Sequence, residues 1–170
     1  TGESSEIKTP KKPDPKGTEF VIFNPVLKKE YRFNDVTEYS VSKNGRTISF
    51  LQDIPDTTKV DLFKVNLFDT QKESSKTIFE GKGTVKKLTI DNSGSLASFI
   101  YTSDTSKVKI YDLWLSKNGE QGKRIVDASN KALPSGWSVS ENGSLTYSDD
   151  GTRIYFGSAR KPVKEPEDTL

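Results

Sequence analysis

The stretch "YSDDGTRIYFGSA", Tyr147–Ala159, decides the fold, because the chain writes the same phrase twice before it. The earlier versions are "VSKNGRTISFL" (Val41–Leu51) and "IDNSGSLASFI" (Ile90–Ile100). Each has a polar turn ending in glycine, followed by a short alternating run that closes on an aromatic residue. Asn-Gly and its relatives between alternating runs signal a β-hairpin, since these residues tolerate positive φ. Gly45, Gly94 and Gly151 stand 49 and 57 residues apart. Asp61-Leu62-Phe63 and Asp112-Leu113-Trp114 repeat at 51 residues, at the same place in the unit.

Around these marks the sequence reads strand, turn, strand throughout. Phe20–Phe23 and Lys29–Phe33 flank Asn24-Pro25. "VDLFKVNLF" (Val60–Phe68) and "KTIF" (Lys76–Phe79) complete one four-strand unit. "VKKLTI" (Val85–Ile90), "SLASFIYT", "VKIYDLWLS" (Val108–Ser116) and "KRIV" (Lys123–Val126) complete a second. Four short strands recurring about every 50 residues point to propeller blades. A β-sandwich is the runner-up, because it too has many short strands with regular turns.

The expected fold is therefore all-β, a partial β-propeller of about three blades with four antiparallel strands per full blade. With the strands of a blade lettered A to D, residues 18–33 supply C and D of one blade. Residues 36–79 and 85–126 form two full blades, and residues 137–159 supply A and B of another. Residues 1–17, with Pro10, Pro13 and Pro15 among Lys, Ser and Glu, bury too little apolar surface to order themselves, and residues 160–170 have the same character. Both are expected to be flexible, so the propeller occupies residues 18–159. Propellers close with four to eight blades, which makes this chain an expected fragment of one. Met is absent altogether, and the chain is expected to begin at a processed or engineered boundary.

Composition restricts the chemistry. Of 170 residues 31% are hydrophobic and 10% aromatic, a balance that suits short strands around aromatic cores. The 26 basic and 24 acidic residues nearly cancel, which argues against a nucleic-acid footprint, since phosphate binding needs clustered positive charge. There is no cysteine and no histidine. Neither a Ser–His–Asp nor a Cys–His arrangement can be assembled from this chain's side chains, and zinc would have only carboxylates. No apolar run approaches the ~20 residues of a membrane helix.

Individual motifs have plain readings. Asp149-Asp150-Gly151 and Asp91-Asn92-Ser93-Gly94 lack the alternating oxygen ligands and the later bidentate carboxylate of a calcium loop, and read as turns. Gly81-Lys82-Gly83-Thr84 lacks phosphate-loop spacing and reads as a link between blades. Asn142-Gly143-Ser144 is formally a glycosylation sequon. Arg46 and Arg153 follow hairpin glycines and read as exposed hairpin charge. Trp114 shares its place with Phe63 and is expected between blades, whereas Tyr101 and Trp137 lie near connections and are candidates for a functional face.

The repeat "SxxGxxIxF" followed by "DLF" or "DLW" resembles TolB-type, WD-repeat-like propellers. The ending "NGSLTYSDDGTRIYFGSARKP", with its acidic "KEPEDTL" tail, resembles the N-terminal propeller of bacterial prolyl oligopeptidase family serine peptidases, over about Thr18–Ala159. That resemblance implies a non-catalytic propeller portion that gates or docks peptide substrates for a hydrolase domain outside this chain. Its implied partners are the remainder of the parent propeller, an α/β-hydrolase domain and a peptide or protein ligand, in a periplasmic or cell-envelope setting. None of the family's catalytic residues transfers: the nearest string to a Gly-x-Ser-x-Gly elbow is "GWSVS" (Gly136–Ser140), whose fifth residue is not glycine. Catalytic, metal and cofactor residues are expected to be none, with no cofactor, no nucleic acid and no membrane insertion; substrate-binding residues stay unassigned. Self-association through unclosed strand edges is the further expectation. The alternatives are a TolB-type scaffold that binds protein partners with no peptidase in its parent, or a carbohydrate-binding or lyase-like propeller.

Overall fold

The computed structural model describes residues 16–56 and 60–163. Most of the two terminal segments expected to be flexible lies outside the described residues.

Thirteen strands form the described structure: β1 (Thr18–Asn24), β2 (Lys29–Val41), β3 (Thr47–Ile54), β4 (Leu62–Asp69), β5 (Ser74–Lys82), β6 (Thr84–Ile90), β7 (Leu96–Thr102), β8 (Asp112–Lys117), β9 (Lys123–Val126), β10 (Trp137–Val139), β11 (Leu145–Tyr147), β12 (Ile154–Phe156) and β13 (Ser158–Arg160). All pairings are antiparallel. They order as β1-β2-β3-β4-β5, β6-β7-β8-β9, β11-β12 and β10-β13. The sheets stack face to face as successive blades and do not close into a ring. The fold is a partial β-propeller.

β2 joins two of these layers. Lys29–Phe33 pair with β1, whereas Val36–Val41 pair with β3, and Val36 meets both Thr18 and Gln52. Asp35 has a φ of 59° and turns the corner between the halves. The turn lets the β1–β2 hairpin fold over the face of the next blade, where Phe33 meets Phe50 at 4.4 Å and Tyr31 meets Phe68 at 4.8 Å. These apolar pairs, with Val36, Ile48, Phe20 and Ile22, make the first interface.

Strand B of each full blade is covered on both faces, which explains its unbroken run of apolar and small residues. In β3, Ile48 and Phe50 point back to the hairpin, while Leu51 points forward to β6 and β7. In β7, Ala97 and Phe99 point back to the first full blade and Ile100 forward to the third. Phe79, Phe99, Tyr101 and Trp114 pack together at the first-to-second interface, with centroids 5.1 Å apart for Phe79–Phe99 and for Phe79–Trp114. Trp114 thus lies between blades. Ile154 and Phe156 pack inward against Ile100, Tyr111 and Leu113.

Each A–B hairpin carries an irregularity at the same level, which re-aims strand A. One extra residue separates Val36 from Glu38 in the first and Lys86 from Thr89 in the second. In the third, the five residues 140–144 oppose Gly157 alone and split each strand in two. Gly143 and Gly157 back onto one another there: a Cβ on Gly143 would lie 2.5 Å from the Gly157 Cα.

Candidate functional site

The blades have two loop-bearing ends. One carries the A–B and C–D turns; the other carries the B–C loops and the links between blades.

The A–B turns are built alike from Ser or Asp at the first place and Gly at the fourth. The Ser42 hydroxyl accepts from the Thr47 N–H at 3.0 Å, the Asp91 carboxylate from the Leu96 N–H at 2.8 Å, and the Ser148 hydroxyl from the Arg153 N–H at 3.0 Å. Gly45, Gly94 and Gly151 all hold φ between 69° and 79°, where a side chain is strained. The aspartates of the third turn belong to this scheme. Asp150 accepts from the Ser148 and Thr152 hydroxyls at 2.6 and 2.8 Å and from the Thr152 N–H at 3.0 Å. These bonds favour the ionised form and pull its carboxyl down to about 2. Burial raises Asp91, but bonds from Ser93 and from backbone N–H groups outweigh it, and its carboxyl is lowered. Both stretches are turn chemistry.

Between the turns of the two full blades lies an open cleft of about 370 Å³. Arg46, Lys72 and Lys76 line it with Asp69, the Ser93–Ser95 turn, Asn118 and Gly119. Arg46 Nε stands 4.0 Å from an Asp69 oxygen, so this cleft presents cations, one carboxylate and turn backbone. Such a surface can dock a polar chain by hydrogen bonds and charge. Arg46 is thereby a cleft residue as well as hairpin charge; Arg153 is not among its lining residues.

At the opposite end Lys16 pairs with Asp61 and lies 3.9 Å from buried Asp53. One Asp53 oxygen is buried without a hydrogen-bond partner among the described residues. Burial pushes the Asp53 carboxyl up, Lys16 opposes this, and neighbouring Asp61 and Asp35 add to it. Asp112, in the second blade's place for Asp61, is likewise raised by burial and offset by Arg124 at 3.4 Å. Lys16, Asp61, Gly83, Thr84 and Lys109 contribute to a cleft of about 190 Å³. The repeat of Asp61 and Asp112 was visible in the sequence as the "DLF" and "DLW" marks. Its link to Asp53 was not, because that contact depends on the register in which β3 pairs with β4.

The remaining motif residues have structural duties. Gly81–Thr84 joins β5 to β6. The Tyr101 hydroxyl donates to the Lys82 carbonyl at 2.7 Å, and its ring packs on Phe79 and Trp114, so it is an interface residue. Trp137 opens β10 and pairs with Arg160, which places "GWSVS" at the start of a strand. Asn142 sits in the insertion that splits the third hairpin. Among the described residues, no three His, Cys, Asp or Glu side chains are grouped to hold a metal ion, and no helix is long and apolar enough to cross a membrane.

No protein-family model matches the chain, and no curated protein matches it. Solved structures do. Part of the tricorn protease superposes with a TM-score of 0.54 at 16% identity, covering 91% of this chain and 15% of that one. The β-propeller domain of the Trilobed protease from Pyrococcus furiosus, which has an open velcro topology, gives 0.47 at 16% identity, covering 74% of this chain and 39% of that one. TolB from Acinetobacter baumannii gives 0.37 at 12% identity, covering 79% and 41%. The chain thus spans less than half the length of each. At these identities the tricorn protease likeness bears on fold alone, and it agrees with the stacked four-strand units: the chain is a partial β-propeller.

Proposed function

We propose that this chain is a non-catalytic propeller portion that docks or gates peptide substrates for a hydrolase domain outside it. The observation that carries the reading is the joined pattern of stacked blades and a polar inter-blade cleft, in a sequence with neither histidine nor cysteine. A Ser–His or Cys–His pair has no histidine here, whereas a cleft lined by Arg46, Lys72, Lys76 and turn backbone suits an extended polar chain. The propeller likeness within a chain named as a protease supports the same direction.

Two experiments test it. The purified chain incubated with short oligopeptides is expected to leave them intact, and hydrolysis by the chain would overturn its non-catalytic role. Reading the parent gene beyond the Leu170 codon is expected to show a Gly-x-Ser-x-Gly elbow followed by Asp and His. Further blades and then a stop would replace this reading with a partner-binding scaffold.

A further inference from the structure

One wall of the cleft between the turns of the two full blades comes from a single face of the first blade. Thr47 pairs with Asp69 and Asp69 with Ser74, while Leu67 pairs with Lys76. Paired residues share a face, and so do residues two apart on a strand, so all five point toward the second blade. Leu67 packs there against the inter-blade core. Facing it, the Asn118-Gly119 turn, with φ of 52° and 71°, brings backbone up to the cleft. A Cβ on Gly119 would stand 4.0 Å from a Leu67 methyl carbon.

Charge on these walls is one-sided. Arg46, Lys72 and Lys76 line the cleft with one carboxylate, Asp69. That carboxylate is already engaged. One oxygen accepts from the Gln71 and Lys72 N–H groups at 2.9 and 3.0 Å, and the other lies 4.0 Å from Arg46 Nε. The bond from the Lys72 N–H, above all, holds its carboxyl below the usual range. Neither Lys72 nor Lys76 has a carboxylate within salt-bridge distance among the described residues. The two other lysines of β4 and β5, Lys64 and Lys82, pair with Glu80 and Asp56 at 2.9 and 2.8 Å. Lys76 is thus the cation of these strands left without a partner among the described residues, and it stands in the cleft. The Ser74 and Ser95 hydroxyls and the Asn118 amide likewise make no hydrogen bond to the described residues.

We propose, resting on the peptide-docking reading, that this cleft selects acidic peptide segments. Carboxylates of the occupant meet Lys72, Lys76 and Arg46, and Leu67 takes the methylenes of a Glu side chain. Ser74, Ser95 and Asn118 bond to its backbone. Three cations with one carboxylate leave two formal positive charges, which two carboxylates on one segment neutralise. A cleft of about 370 Å³ is at the small end of ligand sites. It suits a short segment better than the phosphate backbone of a nucleic acid, whose binding takes many basic contacts.

Fluorescence anisotropy of the 170-residue chain tests this, with labelled peptides of equal length that alternate Ala with Glu, Gln or Lys. At low ionic strength the Glu peptide is expected to bind roughly tenfold or more tightly than the Gln peptide, and the Lys peptide more weakly still. Added salt is expected to shrink the difference. Lys72→Glu with Lys76→Glu is expected to abolish the preference, and Lys72→Gln with Lys76→Gln to reduce it. Both side chains are exposed, so the circular dichroism spectrum of each variant is expected to match that of the parent. Lys107→Glu with Lys131→Glu changes the net charge equally at the opposite end of the blades and is expected to keep the preference. Equal binding of the Glu and Gln peptides would overturn acidic selection and leave peptide docking standing, whereas binding of no peptide would remove both. An equal loss in the Lys107 and Lys131 variant would also overturn it, as would equal binding of a single-stranded oligonucleotide of matched charge, since diffuse charge would then explain the affinity.

Discussion

The side-chain amide of Asn92 donates a 2.9 Å hydrogen bond to the backbone carbonyl of Asp149, from one blade's A–B turn to the next. Asn44 makes the same bond to the carbonyl of Ser93, also at 2.9 Å, one blade earlier. The two bonds form a ladder along the turn end of the blades. Asn44 also accepts from the Ser42 hydroxyl and the Arg46 N–H. A net hydrogen bond contributes about 0.5–1.5 kcal/mol. Asn92→Ala is expected to destabilise by about 1 kcal/mol, and Asn44→Ala by more, because it also undoes its own turn. Urea denaturation at fixed protein concentration checks the order.

Gly94 and Gly136 share a positive φ, at 79° and 78°, but not their surroundings. A Cβ on Gly94 would lie 2.5 Å from the Thr47 hydroxyl oxygen and 3.2 Å from the Ser42 Cβ, whereas Gly136 has open space. Gly136→Ala is expected to cost only the left-handed conformation, roughly 1–2 kcal/mol. Gly94→Ala adds a clash between blades and is expected to cost clearly more. Equal losses would mean that the two turns do not abut.

Two aspartates are expected to respond to pH with opposite signs. The Asp150 carboxyl is held at about 2 by the Ser148 and Thr152 bonds. Its stabilising contribution is present above the unfolded value of about 3.9 and is lost as pH falls through about 2. Asp150→Ala is therefore expected to destabilise at pH 7 and to have a shrinking effect in acid. Asp53 is raised by burial, so its ionised form opposes folding at neutral pH. Asp53→Asn, which leaves Lys16 its contact with Asp61, is expected to raise the urea midpoint at pH 7. The difference should vanish below about pH 3.9, where both folded and unfolded carboxyls are protonated.

Phe99 is fully buried between Phe79 and Trp114. Phe99→Ala is expected to cost about 3–5 kcal/mol, a large share of the stability of a small domain. Loss of the cooperative thermal transition in circular dichroism would register it; an unchanged transition would place Phe99 outside the core.

Local rules made the hairpins legible. Gly45, Gly94 and Gly151 announced positive φ, and Phe50 and Phe99 announced the buried stretch of strand B, with Phe156 their half-buried counterpart; together they gave the repeat. Trp114 was readable for the same reason, since it shares a place with Phe63. What stayed hidden depends on contacts between blades. The split of the third hairpin rests on Gly143 and Gly157 meeting across two strands. Tyr101 read as a candidate for a functional face because its partners, Phe79 and the Lys82 carbonyl, belong to the preceding blade's last strand. The Asp53, Asp61 and Lys16 grouping joins three stretches that no local pattern connects. The inter-blade cleft arises only once two sets of turns stand side by side.

The second blade is covered on both faces, as a propeller requires and a two-sheet sandwich does not. Nuclear Overhauser contacts from β7 measure this directly. Phe99 should show contacts to Phe79, whose ring centroid is 5.1 Å away, and Ser98, on the opposite face, should show contacts to Tyr147, whose hydroxyl bonds to it. Contacts on both faces are the expected result; contacts from Phe99 with a solvent-exposed Ser98 would contradict the stacked-blade fold.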